Sequence, residues 1–410
     1  MPGLADTLAT LAAEGSGAYY GGDLGARLAA GVGAGQGALS SDDLAAHRSE
    51  WSAPYSLSLD HPDLGRITVH EQPLPSQGVL VLLMLELLDQ ADRCAPATRP
   101  WDELHRQIEA KKIAFAIRDL FLTDPRSYPF PVEELVAELL APACREALAP
   151  LLLAEPLPFG MERATVRSLL TPALRAKLRA LGDDDGTAAG VQGTDTTYLT
   201  AVDAEGNAVG MIQSVFHPWG CGFLEPATGI LLNNRAVGFS LDPRHVNRLE
   251  PGKRTLHTLN SLQLDRDGLL WVVTGTPGGD NQVQTNLQTV RHLLHGSSTW
   301  PGPQPMDVNH WSQARRLDAR RERLAEAECL AAALEAPRWR HDAESADATV
   351  RIEARMSAEI RKRLARRGHL VERLGPWEGS GYVQAILRSR HEGTWIGATD
   401  PRGEGAGACD

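Results

Sequence analysis

The spacing of hydrophobic positions divides the chain into a mainly helical first half and a second half in which strands become frequent. Leu57 to His70 alternates between apolar and polar residues, which predicts two short strands joined at 60–63. Elsewhere in the first half, apolar residues recur every three or four positions and predict helices. These helices cover 4–30 with a break at 14–17, 78–88, 101–124, 132–155 and 162–181.

The first long stretch without helical spacing, 195–214, is predicted to be a β-hairpin. Residues 197–202 are rich in β-branched and aromatic side chains, which favour a strand. Residues 203–207 include Gly206 and Asn207, which tolerate the positive φ of a tight turn, and the second strand follows. The preceding segment, 182–193, is rich in glycine and aspartate and is predicted to be an exposed loop.

Later elements follow from shorter patterns. A tight loop is expected at 217–222, and a buried strand at 269–274 leads through 275–279 into a helix that begins after Asp280. Arginines alternate with acidic residues such as Glu326 in a predicted helix over 312–334, which is typical of a solvated face. The remaining predictions are a Pro- and Gly-rich stretch at 297–311, a helix at 357–367 that ends at Gly368, and strands from 371 onward.

Composition narrows the class of protein. A net charge of −11 gives no electrostatic support for binding nucleic acid, and 42% hydrophobic with 23% charged residues is ordinary for a globular protein. The five cysteines show no paired spacing, so we expect free thiols in a reducing compartment. The start of the chain lacks a signal-peptide pattern and the longest apolar run, 79–85, is too short to span a bilayer. A cytoplasmic protein without a membrane partner is therefore predicted.

The glycines of 31–37 superficially fit a dinucleotide-binding pattern, with Gly31 and Gly33 at the spacing of its first two glycines. No strand is predicted before them, and Ser40 begins the next helix with good N-cap chemistry. A loop between two helices is therefore preferred. The thirteen histidines show no metal-ligand spacing, so neither a metal nor an organic cofactor is predicted.

Thr196 is the main candidate for catalysis. If the chain is cut after Asp195, Thr196 becomes an N-terminal residue whose α-amine can act as the base for its own hydroxyl. Gly278 and Gly279 lie between a strand and a helix, where backbone N–H groups can hold an oxyanion. Alone, these glycines are slightly better explained by a tight turn, but together with the Thr196 hairpin they favour an oxyanion site.

Six segments, in this order, resemble the gamma-glutamyltransferases, a family of N-terminal-nucleophile hydrolases. They are 195–198, 229–234, 251–254, 274–279, 336–338 and 397–402. The resemblance implies an α+β fold, a four-layer αββα sandwich. It also implies self-cleavage between Asp195 and Thr196 into a mainly helical 1–195 chain and a catalytic 196–410 chain. The two would stay folded as one intertwined domain, a heterodimer of the protein's own fragments, with further dimerisation left open.

The resemblance also implies a mechanism. Thr196 would attack a γ-glutamyl amide of a small-molecule donor, and an acyl-enzyme would pass to water or an amine acceptor. Gly278 and Gly279 would hold the oxyanion, and Ser214 matches the hydroxyl residue that orients the nucleophile.

Donor recognition departs from the family pattern. The positions that hold the donor's α-ammonium are Phe216, Arg235 and Gly238 here, so the carboxylate is absent and a cation has been added. The pair that binds the α-carboxylate is His257 and Thr258, and Arg235 could share that role. A further upstream arginine of the family has no counterpart.

Several functions therefore remain open. The donor could be γ-glutamyl, with its ammonium held elsewhere, or a glutaryl-like acyl group that has a carboxylate but no α-amine. The protein could also be a biosynthetic relative that cleaves another bond, including a C–C bond. The last alternative is an unprocessed, non-enzymatic homologue.

Overall fold

The structure, a computed structural model, describes residues 2–182, 195–295, 319–342, 348–390 and 394–409. Two compact units can be distinguished along the chain. The first comprises Met1–Ala53, Gly193–Asp195 and Ser214–Arg235. The second comprises Pro54–Gln192, Thr196–Gln213 and Ala236–Asp410.

The first unit is built on four short helices: α1 (Pro2–Glu14), α2 (Gly17–Tyr20), α3 (Asp23–Ala34) and α4 (Ser41–Ala46). The predicted break at 14–17 is confirmed, but 4–30 holds three helices instead of two. The predicted link at 31–37 is partly wrong, because α3 continues through Gly31 and Gly33. Burial of Leu28 and Val32 on one face offsets the low helix propensity of glycine. The Ser40 cap is confirmed, since its Oγ accepts a hydrogen bond from the Asp43 N–H at 3.2 Å.

A six-stranded antiparallel sheet is the centre of the second unit, in the order β1-β2-β5-β6-β10-β11. Its strands are β1 (Tyr55–His61), β2 (Gly65–Glu71), β5 (Ser261–Arg266), β6 (Leu269–Gly275), β10 (Gln384–Arg388) and β11 (Trp395–Thr399). The predicted strands in 57–70 and 269–274 and those after 371 are confirmed. Strand β5 was not predicted.

Long helices cover this sheet and share its hydrophobic core. They are α5 (Val79–Cys94), α6 (Pro100–Phe121) and α11 (Asn281–His295). Their buried side chains pack with Leu262, Val272 and Leu387 of the sheet. Removing this much apolar surface from water is the main stabilising contribution to the unit.

Two of the predicted helices are interrupted. The segment 132–155 divides into α7 (Val132–Leu139), α8 (Pro142–Leu148) and the 3₁₀ turn Ala149–Leu153. The segment 162–181 divides into α9 (Glu162–Leu169) and α10 (Pro172–Ala180). Pro142 and Pro172 each occupy the first position of the new helix, where a missing N–H costs nothing.

The remaining strands form two small sheets. β3 (Asp195–Val202) and β4 (Ala208–Phe216) form the predicted hairpin. β7 (Trp339–His341), β8 (Val350–Glu353) and β9 (Val371–Leu374) form a mixed sheet, of which β7 and β8 were not predicted. Helices α12 (Ala319–Glu335) and α13 (Ala358–Arg366) accompany them, and Gly368 follows α13 with a φ of 105°.

The prediction that the charged helix presents only a solvated face is wrong at Glu326. This carboxylate is buried and accepts hydrogen bonds from Ser389 Oγ at 2.6 Å and from the Arg390 N–H at 3.1 Å. The predicted loop at 182–193, from 183 on, and the stretch at 297–311 lie outside the described residues, as do 312–318. Among the helices that are described, none combines the length and apolar character needed to cross a bilayer.

Candidate active site

Thr196 lies near the start of β3, where the hairpin begins. Side chains alternate along this strand, so Thr196 and Tyr198 point to the same side while Thr197 and Leu199 are exposed. Thr196 is half-buried and Tyr198 is buried. The inward side of the strand therefore carries both the candidate nucleophile and an anchoring aromatic ring.

Tyr198 fastens this strand to two strands of the large sheet. Its hydroxyl lies 3.2 Å from Ser261 Oγ on β5. Its ring lies against Gly275, where an added Cβ would stand only 2.6 Å from the ring atom Cε2. Burial raises the pKa of Tyr198 to about 12, so its hydroxyl stays protonated. Since Gly275 ends β6 and precedes the glycine turn, Tyr198 links the Thr196 strand to that turn.

The predicted strand–turn–helix unit is present at 269–295. Gly278 and Gly279 have φ values of 140° and 56°, in the left-handed region that favours glycine. Their carbonyls accept hydrogen bonds from the N–H groups of Asn281 and Gln282, both at 3.0 Å. Within the described ranges, neither glycine's own N–H donates to another residue. Two such N–H groups at the start of a 15-residue helix can stabilise an anion.

Charged residues of α6 hold Asp280, the residue that follows the turn at Gly278 and Gly279. Asp280 pairs with Arg118 at 3.2 Å, and Arg118 also pairs with Asp119 at 2.9 Å. These two carboxylates hold the pKa of Arg118 above its ordinary value. Nearby, Lys111 is buried with its Nζ 3.0 Å from His341 Nδ1, and burial lowers its pKa to about 7. The residue after Gly279 is therefore held by a guanidinium that remains charged.

The predicted donor-binding residues of the first unit contact one another. The Arg235 guanidinium lies over the Phe216 ring at 4.2 Å from its centroid, and Phe216 stacks on His217 at 4.9 Å. Ser214 Oγ accepts a hydrogen bond from the Phe216 N–H at 2.8 Å. The edge of a stacked guanidinium can still bind a carboxylate. Thr196 belongs to the second unit, so the catalytic role of Ser214 stays a prediction.

His257 and Thr258 lie in the second unit, next to a turn at 73–78. The His257 N–H donates to the Pro75 carbonyl at 2.9 Å, and Ser76 Oγ donates to the Leu259 carbonyl at 2.5 Å. Thr258 is buried. The backbone of this pair is thus held in place, while its predicted contact with a donor carboxylate stays a prediction.

Gly238, at a position where the resemblance implies an acidic residue, lies in crowded surroundings. A Cβ added there would lie 2.9 Å from Thr255 Oγ1 and 3.2 Å from the Leu256 carbonyl. An aspartate would therefore require Thr255 to move.

One cluster in the described part of the chain, His105, Glu109 and His369, is close enough to hold a metal ion. Its donor atoms already have protein partners. His105 Nδ1 lies 2.8 Å from His369 Nε2, and Glu109 accepts from Lys112 Nζ at 2.8 Å and from the Leu157 N–H at 2.9 Å. Burial, with the positive charge of Arg367, lowers the pKa of His105 to about 2. Neighbouring cations oppose a bound cation, so these residues fit an internal hydrogen-bonded cluster better than a metal site.

Sequence reasoning missed two residues that hold the candidate site together, Ser261 and Arg118. They lie tens of positions from Thr196 and have no short-range signal. Only the alternating pattern of 261–266 could have pointed to β5.

Comparison with known proteins identifies the family to which the chain belongs. The family model described as Gamma-glutamyltranspeptidase matches residues 1–409. The chain is 31% identical over 404 residues to the glutathione hydrolase-like YwrD proenzyme of Bacillus subtilis, covering 98% of this chain and 64% of that protein. It is 33% identical over 417 residues to the oxamate amidohydrolase proenzyme of Klebsiella pneumoniae, covering 100% of this chain and 65% of that protein.

A solved structure, that of cephalosporin acylase from Bacillus halodurans, matches with a TM-score of 0.67 and 27% identity, over 98% of this chain and 61% of that chain. The predicted α+β class of the N-terminal-nucleophile hydrolases is thereby confirmed. The chain spans just under two thirds of the length of the YwrD proenzyme and of the oxamate amidohydrolase proenzyme. With a family model matched from residue 1 to residue 409, the chain belongs to the gamma-glutamyltranspeptidase family.

Proposed function

We propose that this protein cuts itself between Asp195 and Thr196 and then uses Thr196 to cleave a small amide through an acyl-enzyme. The observation that carries the proposal is the position of Tyr198. It is two residues from Thr196, and its ring lies against the last residue of the strand that leads to Gly278 and Gly279. Nucleophile strand and oxyanion turn are thus parts of one compact unit.

In self-cleavage, Thr196 Oγ would attack the Asp195 carbonyl carbon and displace the Thr196 nitrogen, leaving an ester. Water then hydrolyses that ester and releases the chains 1–195 and 196–410. The freed α-amine of Thr196 accepts the proton of Oγ in the next reaction. Oγ adds to the donor's amide carbon, and the N–H groups of Gly278 and Gly279 stabilise the negative oxygen. The amine leaves with a proton, and water or an amine acceptor takes the acyl group.

The donor is a separate part of the proposal. We propose an acyl group that carries a carboxylate and no α-ammonium. An acidic side chain at Gly238 would require Thr255 to move, and Arg235 would repel an ammonium while it could pair with a carboxylate. Oxamate, named for the Klebsiella relative, is an amide of this kind. Arg235 is assigned to the donor site because its position in the sequence matches a donor-binding position of the family.

Intact mass of purified protein tests the nucleophile. We expect two fragments that meet between Asp195 and Thr196, and a single uncut chain for Thr196→Ala. Thr197→Ala is the matched control, because this exposed neighbour has the same chemistry but points away from Tyr198. An uncut wild-type chain, or normal cleavage in Thr196→Ala, would contradict the proposal and favour a non-enzymatic homologue.

A donor panel tests specificity in the processed protein. The panel contains a γ-glutamyl anilide, a glutaryl anilide and oxamate. We expect turnover of a donor without an α-ammonium to exceed that of the γ-glutamyl anilide, and Arg235→Ala to raise KM for that donor. Preference for the γ-glutamyl anilide would restore ordinary γ-glutamyl transfer as the activity.

A further inference from the structure

The loop at 380–382 is fastened to the glycine turn on both of its sides. Thr276, which precedes the turn, accepts a hydrogen bond on Oγ1 from the Tyr382 N–H at 2.9 Å. Thr285, in the first turns of α11, donates its hydroxyl to the Ser380 carbonyl at 3.2 Å. Gly381 has a φ of 86°, and a Cβ there would stand 2.5 Å from Thr276 Oγ1. The loop is thus packed directly on the segment that contains Gly278.

A buried ion network holds this loop from behind. Arg338 donates from Nη1 to the carbonyls of Ser380 and Gly381, both at 3.0 Å, and pairs with Asp400 at 2.5 Å. Glu353 accepts from the Gly379 N–H at 2.8 Å. Arg338, Glu353 and Asp400 are each 2% exposed or less. Because such a network is well satisfied only in one geometry, it fixes the backbone of the loop.

These contacts engage the backbone carbonyl of Ser380 and leave its side-chain hydroxyl available for a hydrogen bond to a ligand. Its Oγ lies 3.3 Å from the position that a Cβ on Gly278 would occupy. That position and the Gly278 nitrogen are bonded to the same Cα, so the hydroxyl lies beside the residue whose N–H is proposed to hold the oxyanion. The side chain is half-buried and has no hydrogen-bond partner among the residues that the structure describes.

We propose that Ser380 is a catalytic residue whose hydroxyl donates a third hydrogen bond to the oxyanion, beside the N–H groups of Gly278 and Gly279. The inference rests on the proposed function. A hydrogen-bond donor that is already held where negative charge develops stabilises the transition state more than the ground state. The hydroxyl keeps its proton throughout, so the balance of the reaction is unchanged.

The experiment compares Ser380→Ala, Ser380→Thr and Tyr382→Phe in fully self-cleaved protein. Tyr382→Phe is the matched control because it removes an exposed hydroxyl from the same loop. We expect Ser380→Ala to lower kcat on the order of 100-fold with little change in KM. Ser380→Thr, which keeps the hydroxyl, and Tyr382→Phe should stay within a few-fold of wild type.

Each outcome decides the proposal. Unchanged kcat in Ser380→Ala, or a rise in KM alone, overturns it and leaves the proposed function intact. An inactive or uncut wild-type protein overturns both. If Ser380→Ala stays uncut, normal cleavage by Ser380→Thr supports the need for a hydroxyl. Failure of both variants to be cut indicates a purely structural role.

Discussion

Gly275 provides a direct test of the link between the Thr196 strand and the turn at Gly278 and Gly279. In Gly275→Ala, the new Cβ would stand 2.6, 2.7 and 3.0 Å from the ring atoms Cε2, Cζ and Cδ2 of Tyr198. Carbon atoms pack at about 3.5–4.0 Å, so the ring would have to retreat by roughly 1 Å. It can do so only by moving β3, since Tyr198 is buried and its hydroxyl contacts Ser261.

Overpacking of this kind costs about 1–3 kcal/mol, and stretching the hydroxyl contact adds about 0.5–1.5 kcal/mol. Replacing glycine by alanine in a strand gives back about 0.5–1 kcal/mol. We therefore expect a net loss of about 1–3 kcal/mol in the free energy of unfolding, measured by urea denaturation of the uncut Thr196→Ala background. In the otherwise wild-type protein, self-cleavage should slow, because Thr196 moves with Tyr198.

Gly397→Ala is the matched control, since Gly397 lies in β11 with nothing within 4 Å of an added Cβ. It should be neutral or slightly stabilising. A double-mutant cycle with Tyr198→Ala isolates the contact. If Gly275→Ala costs as much without the ring as with it, or if both stability and self-cleavage are unchanged, the reasoning is refuted.

Three further predictions concern buried charges and thiols. Burial holds the pKa of Glu71 well above its ordinary 4.5, so the folded state retains a proton that the unfolded state releases; the contribution of Glu71 to stability should be fully present below about pH 4.5 and be lost as pH rises through the folded pKa, at up to about 1.4 kcal/mol per pH unit, and the difference between wild type and Glu71→Gln in urea denaturation should follow this dependence. Arg402→Ala removes one of the two arginine partners of each buried carboxylate, since Glu353 keeps Arg355 and Asp400 keeps Arg338, and should cost up to about 3–5 kcal/mol by the same method, whereas Arg363→Ala on the exposed face of α13 should change stability by about 0.5 kcal/mol or less. Cys144 is buried with its pKa raised to about 12, so a thiol reagent should leave it unmodified in the folded protein while it labels the exposed Cys94, Cys221 and Cys409. The same pH dependence in wild type and Glu71→Gln, equal losses in the two arginine variants, or rapid labelling of Cys144 would contradict the respective prediction.

Local chemistry was enough to predict the elements that carry the candidate chemistry. The β-branched run before the 203–207 turn defines the hairpin, and the two glycines between a buried strand and a capped helix define the turn. Each of these signals lies within about ten residues. The same is true of the Ser40 cap and of the stop at Gly368.

The contacts that assemble the site could not be predicted in this way. Tyr198 meets Ser261 across 63 positions, and Arg338 holds Ser380 across 42. Helical periodicity also misled at Glu326, because an acidic residue among arginines has the pattern of a solvated pair. Its true partners, Ser389 and Arg390, come from beyond β10. Such pairings depend on tertiary packing, which spacing along one chain does not encode.

The proposed chemistry and the proposed donor recognition have separate physical bases in this chain. The turn at Gly278 is fixed by Arg118 on one side and by the Arg338 network on the other, and both are buried. Replacing Arg118 would remove this partner of Asp280, and replacing Arg338 would leave Asp400 with Arg402 alone, so substitution of either arginine should disturb the geometry of the turn. The proposed change of donor rests on the lack of one carboxylate on a loop, and at Gly238 such a side chain would require Thr255 to move. On this proposal, a few loop residues could change the donor while the geometry around the turn stays constant.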